Sequence, residues 1–371
     1  MRTISTKNFL QVWLWTLTVV SVFAILQTVQ RTSELEIALF RSKWIGLVGV
    51  FLLTAIFGVW VSFSAFLNQI ANRLDGFTNQ SVNPLRIALY ILFAAVGFLS
   101  VWLVRLYVFG NILPQGMPIL WVFLWASLLQ TIFLKNILKT NWVVSFAAVV
   151  LAQGFIYQTY GIFGATSANP FSLGYSEAGR HYYASMYFSE ALYGMKLPLP
   201  FLHPSRYLLL SLPFLVDGLP LWFHRFWQAF LWFGLTLGAA FSLARFARVT
   251  GWKMVLVTAW AFLFFFQGAV YYHLQVMVML VLLGVSVEKP GRSLVFIILA
   301  SLWAGISRVN WFPVPAMFAI AIYVLEMPLA QKGWAYWVTP FIWGISGLVS
   351  ALFSQFAYIQ ISGNADVSAF G

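Results

Sequence analysis

The sequence predicts an all-α polytopic membrane protein with about ten or eleven crossings and one large non-cytoplasmic loop holding interfacial helices. Three observations carry this. Charged residues make up only 8% of the chain, whereas a soluble domain covers its surface with roughly 25%. Hydrophobic residues reach 61% and the mean hydropathy is +0.86, so lipid must be the solvent. Apolar runs also recur from Phe9 to Ile359, which excludes a soluble domain on a single anchor.

The N-terminus carries Arg2 and Lys7 ahead of an apolar run, 9–27. That run is too long for a signal-peptide core and no small-residue cleavage site follows, so it reads as a retained first helix. Runs of about 20 apolar residues, the length a crossing needs, then follow at 44–67, 85–109, 117–134, 142–163, 226–244, 254–271 and 334–356. Three shorter ones, 274–287, 293–307 and 312–326, lie between the boundary signals Glu288-Lys-Pro-Gly-Arg292 and Met327-Pro-Leu-Ala-Gln-Lys332. The stretch Tyr207 to Val216 is too short to cross and is interrupted by Pro213, so it reads as interfacial or re-entrant. The end, Ser362 to Gly371, is polar. It reads as a non-cytoplasmic tail, 357–371, that opens a longer segment.

Lys and Arg in short loops set orientation. With the N-terminus in the cytoplasm, nearly every short inner loop carries one: Arg73, Arg86, Lys135, Lys139, Arg245, Arg248, Lys253, Lys289, Arg292 and Lys332. The short outer segments 110–116 and 272–273 carry none. The loop Gly164 to Arg225 then lies on the non-cytoplasmic face. The expected location is a bacterial plasma (inner) membrane.

Composition excludes several chemistries. There are no cysteines, so disulfides, thiolate catalysis and Cys-ligated metals are ruled out. The four histidines leave little for a metal, and one acid without a near partner does not indicate a divalent cation. The net charge of +12 reads as cytoplasmic anchoring against anionic lipid rather than nucleic-acid binding. The spans hold almost no charge, which argues against a proton-coupled carrier, and no internal repeat is visible.

The chemistry therefore concentrates in the loop, since loops carry function more often than spans do. Ser176 to Tyr193 reads as a short interfacial helix with Ser176 as N-cap and Gly194 as the stop. Tyr183, Tyr187 and Glu190 share a face at i, i+4, i+7. Glu177 falls in the first turn, where the helix end favours its ionised form. An ionised carboxylate there suits a general base; equally, first-turn acids are ordinary caps. His203 before Pro204 reads as a turn residue or a ligand, and Arg206 and Arg225 as headgroup anchors or phosphate ligands.

These parts, in order, are Glu177-Ala-Gly-Arg-His-Tyr-Tyr-Ala, Leu192-Tyr-Gly, Pro198 and Pro200, His203-Pro-Ser-Arg-Tyr and Leu212-Pro-Phe-Leu. The pattern resembles the first large outer loop of the GT-C superfamily of polytopic glycosyltransferases, the polyprenyl-phosphate-sugar-dependent enzymes that include protein mannosyltransferases and aminoarabinose transferases. The resemblance covers about 60 residues and departs in two respects. That family usually places the loop after its first span, whereas five spans precede it here, and its acid is most often Asp.

The resemblance implies transfer of a sugar from a polyprenyl-phosphate carrier to an acceptor hydroxyl, with Glu177 as base. Arg180, Arg206, Arg225 and Arg308 would stabilise the departing phosphate. Tyr183, His203, His273, Asn310 and Trp311 would contact substrate. On this reading, 1–140 is an added set of helices and 141–356 the GT-C-like core. The partners are membrane lipid, the lipid-linked sugar and an acceptor. The competing readings are a transporter or flippase for lipid-linked sugar or polysaccharide, and a non-catalytic membrane protein.

Overall fold

The structure is a computed structural model. It describes residues 4–80, 83–110, 112–113, 116–174, 176–268, 270–327 and 333–364, with Arg41 in backbone only. Every described element is helical. Residues 1–153 and 154–371 form two compact units, with the boundary inside one helix.

The first unit holds α1 (Thr6–Glu34), α2 (Trp44–Phe63), α3 (Phe66–Asn79), α4 (Pro84–Leu103), α5 (Met117–Leu138) and the first half of α6 (Trp142–Phe163). Ser5 caps α1 by accepting from the Asn8 N–H at 3.2 Å, and Asn83 caps α4 with Pro84 in its first turn. Both are the side chains that satisfy orphan N–H groups at a helix start. The helix α3 corrects the sequence reading, which left this segment as a loop. It is amphipathic, burying Leu67 and Ala71 against a cluster that includes Leu10, Leu14, Leu124 and Leu128. A polar knot fixes its end: Thr6 bonds Asp75, Trp142 donates to Thr6 at 2.7 Å, and Lys139 donates to the carbonyls of Thr78 and Gln80.

The second unit holds the rest of α6, then α7 (Glu177–Ser185), α8 (Ser189–Tyr193), α9 (Pro204–Ser211), α10 (Leu221–Phe246), α11 (Trp252–Phe265), α12 (Tyr272–Gly284), α13 (Pro290–Gly305), α14 (Val314–Glu326) and α15 (Ala335–Ser362). Small residues let α13 and α15 approach. A Cβ on Gly305 would lie 2.2 Å from the Ala351 carbonyl oxygen. Ala300 and Ala304 on α13 and Ala351 on α15 have no accessible surface. Close approach through small residues is how helices associate where lipid offers no hydrophobic drive.

Eight described helices are long and apolar enough to cross a membrane, so the chain is a multi-pass membrane protein. Three segments expected to cross are shorter. The run 254–271 yields only the 14 residues of α11, because the chain turns at Gly268 with φ +85°. The helices α12 and α13 have 13 and 16 residues. At 1.5 Å per residue, 13 residues reach about 20 Å, short of the roughly 30 Å hydrocarbon core. The stretch 312–326 gains a 3-10 turn and qualifies as Val309–Glu326. Tyr207 to Val216 forms no crossing, only the end of α9 and a 3-10 turn. The helix α15 continues to Ser362; the remaining tail, 365–371, lies outside the described residues, as do Arg2 and Lys332.

Candidate functional site

The loop is tied to the ends of α10, α12, α13 and α15. Leu199 N–H donates to the Ser362 carbonyl at 2.7 Å and Ser205 N–H to Ile306 at 2.8 Å. Tyr358 donates to the Pro200 carbonyl at 2.6 Å. His203 takes the left-handed conformation, φ +52°, and its Nδ1 lies 3.3 Å from the Ser307 carbonyl. These bonds tie the loop to the C-terminal ends of α13 and α15. Trp227 of α10 donates to the Leu209 carbonyl at 2.8 Å. Trp303 near the end of α13 donates to the His273 carbonyl at the start of α12 at 2.7 Å, so α12 and α13 run antiparallel.

The interfacial helix differs in detail from its expected form. It breaks into α7, a 3-10 turn (Met186–Phe188) and α8. The Ser185 hydroxyl sits 2.7 Å from that of Tyr193 across the break, and Gly194 stops the segment with φ +70°. Ser176 is not a side-chain cap; it is left-handed, φ +63°, without a cap bond. Glu177 instead bonds back to the preceding loop, with Oε2 accepting from Leu173 N–H at 2.6 Å.

Glu177 is also paired with Arg225, whose Nε donates to Oε1 at 2.8 Å. Both side chains are buried. Arg225 goes further, donating to the carbonyls of Ser167, Asn169 and Phe171. One guanidinium thus holds the path from α6 to α7, and its planar fork suits that task. Burial alone would raise the Glu177 carboxyl; the Arg225 hydrogen bond, the Leu173 N–H and the charges of Arg225 and His181 outweigh it and hold the group below the usual carboxylate range.

Glu177, Arg180 and Arg225 line a cavity of about 400 Å³ with Gln228, Ala229 and Trp232 of α10. Arg225, Gln228, Ala229 and Trp232 fall at i, i+3, i+4, i+7, one face of a helix. That spacing was legible in the sequence but not singled out.

Beyond Trp232 lies a second group. The Trp232 ring meets Tyr271 and Tyr272 with centroids 5.8 and 5.1 Å apart. The guanidinium carbons of Arg206 and Arg308 lie 5.7 and 6.0 Å from the centroid of the same Tyr271 ring. Arg180 faces Arg206 closely enough that burial and the neighbouring charge both pull it below its ordinary value. Arg180, Arg206 and Arg308 are half-buried and form no salt bridge among the described residues. Beneath them, Tyr272 is fully buried and His273 is 2% exposed. Both His273 ring nitrogens and Arg206 Nε lack a hydrogen-bond partner, while the Tyr272 hydroxyl is within reach of the Arg206 guanidinium. His203 joins them, 6.2 Å from His273 ring to ring, and burial leads in lowering its pKa, with Arg308 and Arg206 adding to it against the Ser307 carbonyl.

The structure therefore places Arg180, His203, Arg206, His273 and Arg308 together. Tyr183 adjoins them through Tyr207, 5.2 Å away ring to ring. Glu177 and Arg225 form their own pair on the cavity side. Asn310 is exposed, and Trp311 packs against the core of α12 to α15. Among the described residues no three His, Cys, Asp or Glu side chains gather as a metal would require. Searches against protein-family models, curated proteins and solved structures return no match.

Proposed function

We propose that this protein is a membrane glycosyltransferase that takes a sugar from a phosphate-headed polyprenyl carrier at the non-cytoplasmic face. The observation that supports it best is the cluster of Arg180, Arg206 and Arg308, which form no salt bridge among the described residues and lie beside the buried His273, whose ring nitrogens have no hydrogen-bond partner. Buried polar groups in folded proteins are almost always partnered, and three unpaired cations call for an anion. The Lys and Arg of the short loops favour the non-cytoplasmic face for this end of the second unit.

In this reading the acceptor hydroxyl attacks the anomeric carbon of the sugar. The bond from that carbon to the phosphate oxygen breaks, and its electron pair stays on the phosphate, where the arginines stabilise it. The hydroxyl proton passes to Glu177. Oε1 is the oxygen with acceptor capacity left, because it takes one hydrogen bond from Arg225 while Oε2 takes two. Arg225 fixes the carboxylate toward the cavity, next to Arg180. Trp232 offers an aromatic face to the sugar ring.

The test is sugar transfer by the purified protein in nanodiscs, supplied with labelled polyprenyl-phosphate sugars and a panel of hydroxyl acceptors. Arg206→Gln and Arg308→Gln should each lower transfer at least tenfold. Glu177→Gln should abolish it. That variant also leaves Arg225 facing a neutral partner, and breaking a buried pair costs roughly 3–5 kcal/mol, so its melting curve is recorded alongside. Full transfer by a folded Glu177→Gln protein would remove Glu177 as the base.

A further inference from the structure

We infer that the carrier held at this site presents a diphosphate rather than a single phosphate. This rests on the lipid-phosphate reading above and concerns the same arginines. Two counts lead to it. The first is charge. Arg225 takes up Glu177 in an ion pair, which leaves Arg180, Arg206 and Arg308 without a salt bridge among the described residues. His273 occupies the first turn of α12, where the helix end adds further positive potential. A sugar linked through one phosphate is a diester with one negative charge. Linked through a diphosphate, it carries two. Like charges gathered in a partly buried place raise each other's energy until an anion of comparable charge arrives.

The second count is oxygens. A guanidinium is a planar fork that engages two acceptor oxygens side by side. A phosphodiester has two non-ester oxygens, and one such pair cannot satisfy the forks of Arg180, Arg206 and Arg308 as well as the floor. That floor contributes an imidazole N–H of His273, without a hydrogen-bond partner and more than nine-tenths buried, beside the Tyr272 hydroxyl that Arg206 reaches. A diphosphate diester offers four non-ester oxygens spread along its length. Arg206 and Arg308 both lie against Tyr271, and Arg180 shares a cavity with Trp232, whose ring meets Tyr271 from another side, so the cations are distributed around the floor rather than at one point. An elongated anion meets such a distribution better than a compact one.

The experiment compares two probes that differ by one phosphate, geranylgeranyl-phosphoryl-glucose and geranylgeranyl-diphosphoryl-glucose. They bind the full chain in phosphatidylcholine nanodiscs, and affinity is read by native mass spectrometry. The diphosphate should bind at least tenfold more tightly. Arg308→Gln should erase that preference. Lys196→Gln, an exposed loop position, should change neither. Equal affinity, or tighter binding of the monophosphate, overturns the diphosphate assignment and leaves the phosphate-carrier reading standing. Binding of neither probe overturns both.

Discussion

His181 stands one turn along α7 from Glu177, with Nε2 3.9 Å from the carboxylate, and faces His224 with ring centroids 5.9 Å apart. Its two ring nitrogens have no hydrogen-bond partner. Burial leads in pulling its pKa down, the His224, Arg180 and Arg225 charges add to this, Glu177 opposes, and the result is about 4 against an ordinary 6.5. Above pH 6.5 the imidazole is neutral folded and unfolded. Between 6.5 and about 4 the unfolded chain binds a proton that the folded chain refuses, so stability falls as pH falls. Below about 4 both states are charged and the contribution is gone. The melting temperature in detergent should therefore decline from pH 7 to 4, and His181→Gln should flatten that decline; an unchanged slope would mean the ring is not held neutral. Neither this nor the reach of Arg225 was legible in the sequence. Arg225 is 48 positions from Glu177, and three of its acceptors are backbone carbonyls, whose directions depend on the loop path rather than on residue type. Glu177 itself was legible, because a first-turn acid has its place fixed by helix geometry alone.

At the scale of elements, hydropathy located the crossings well and their lengths less well. A window of apolar residues ran through Gly268 at 254–271, but the left-handed turn there ends α11, and an apolar side chain says little about backbone sign. The amphipathic α3 escaped notice because its apolar residues alternate with Asn, Arg and Asp, and its burial depends on α1 and α5. The α13–α15 contact is a matter of side chains that are missing. The backbone of Ala351 sits where a Cβ on Gly305 would be, and Ser354 Cβ lies 2.8 Å from the same point. The obstacle is largely main chain, so it cannot swing aside. Gly305→Ala should lower stability by roughly 1–3 kcal/mol, the usual cost of overpacking a filled core. A larger residue, Gly305→Val, should do more harm. Thermal denaturation of both variants checks this, and a neutral Gly305→Ala would show that the two helices can separate without loss.

For the molecule as a whole, the question is how many times the chain crosses and which way round. The loop bonds bring the N-terminal end of α12 and the C-terminal end of α13 to one place. Each of these short helices therefore runs away from the loop or back toward it, as a crossing helix would, despite spanning only about 20 to 24 Å. A bilayer thins, or flanking residues stretch to the interface, at modest cost for such a mismatch. If the three short helices cross along with the eight long ones, Lys7, Lys253 and Lys289 lie on one side of the membrane and Lys196 and Asn310 on the other, and the proposed orientation makes the first side cytoplasmic. The chain has no cysteine, so single cysteines can be introduced without removing any, and all five positions are exposed. In intact cells, cysteines at Lys196 and Asn310 should react with a membrane-impermeant maleimide. Those at Lys7, Lys253 and Lys289 should react only after permeabilisation. Labelling of Lys289 and Asn310 from the same side would mean that α13 does not cross. Labelling with the two sets exchanged would turn the arginine cluster toward the cytoplasm and overturn the proposed orientation.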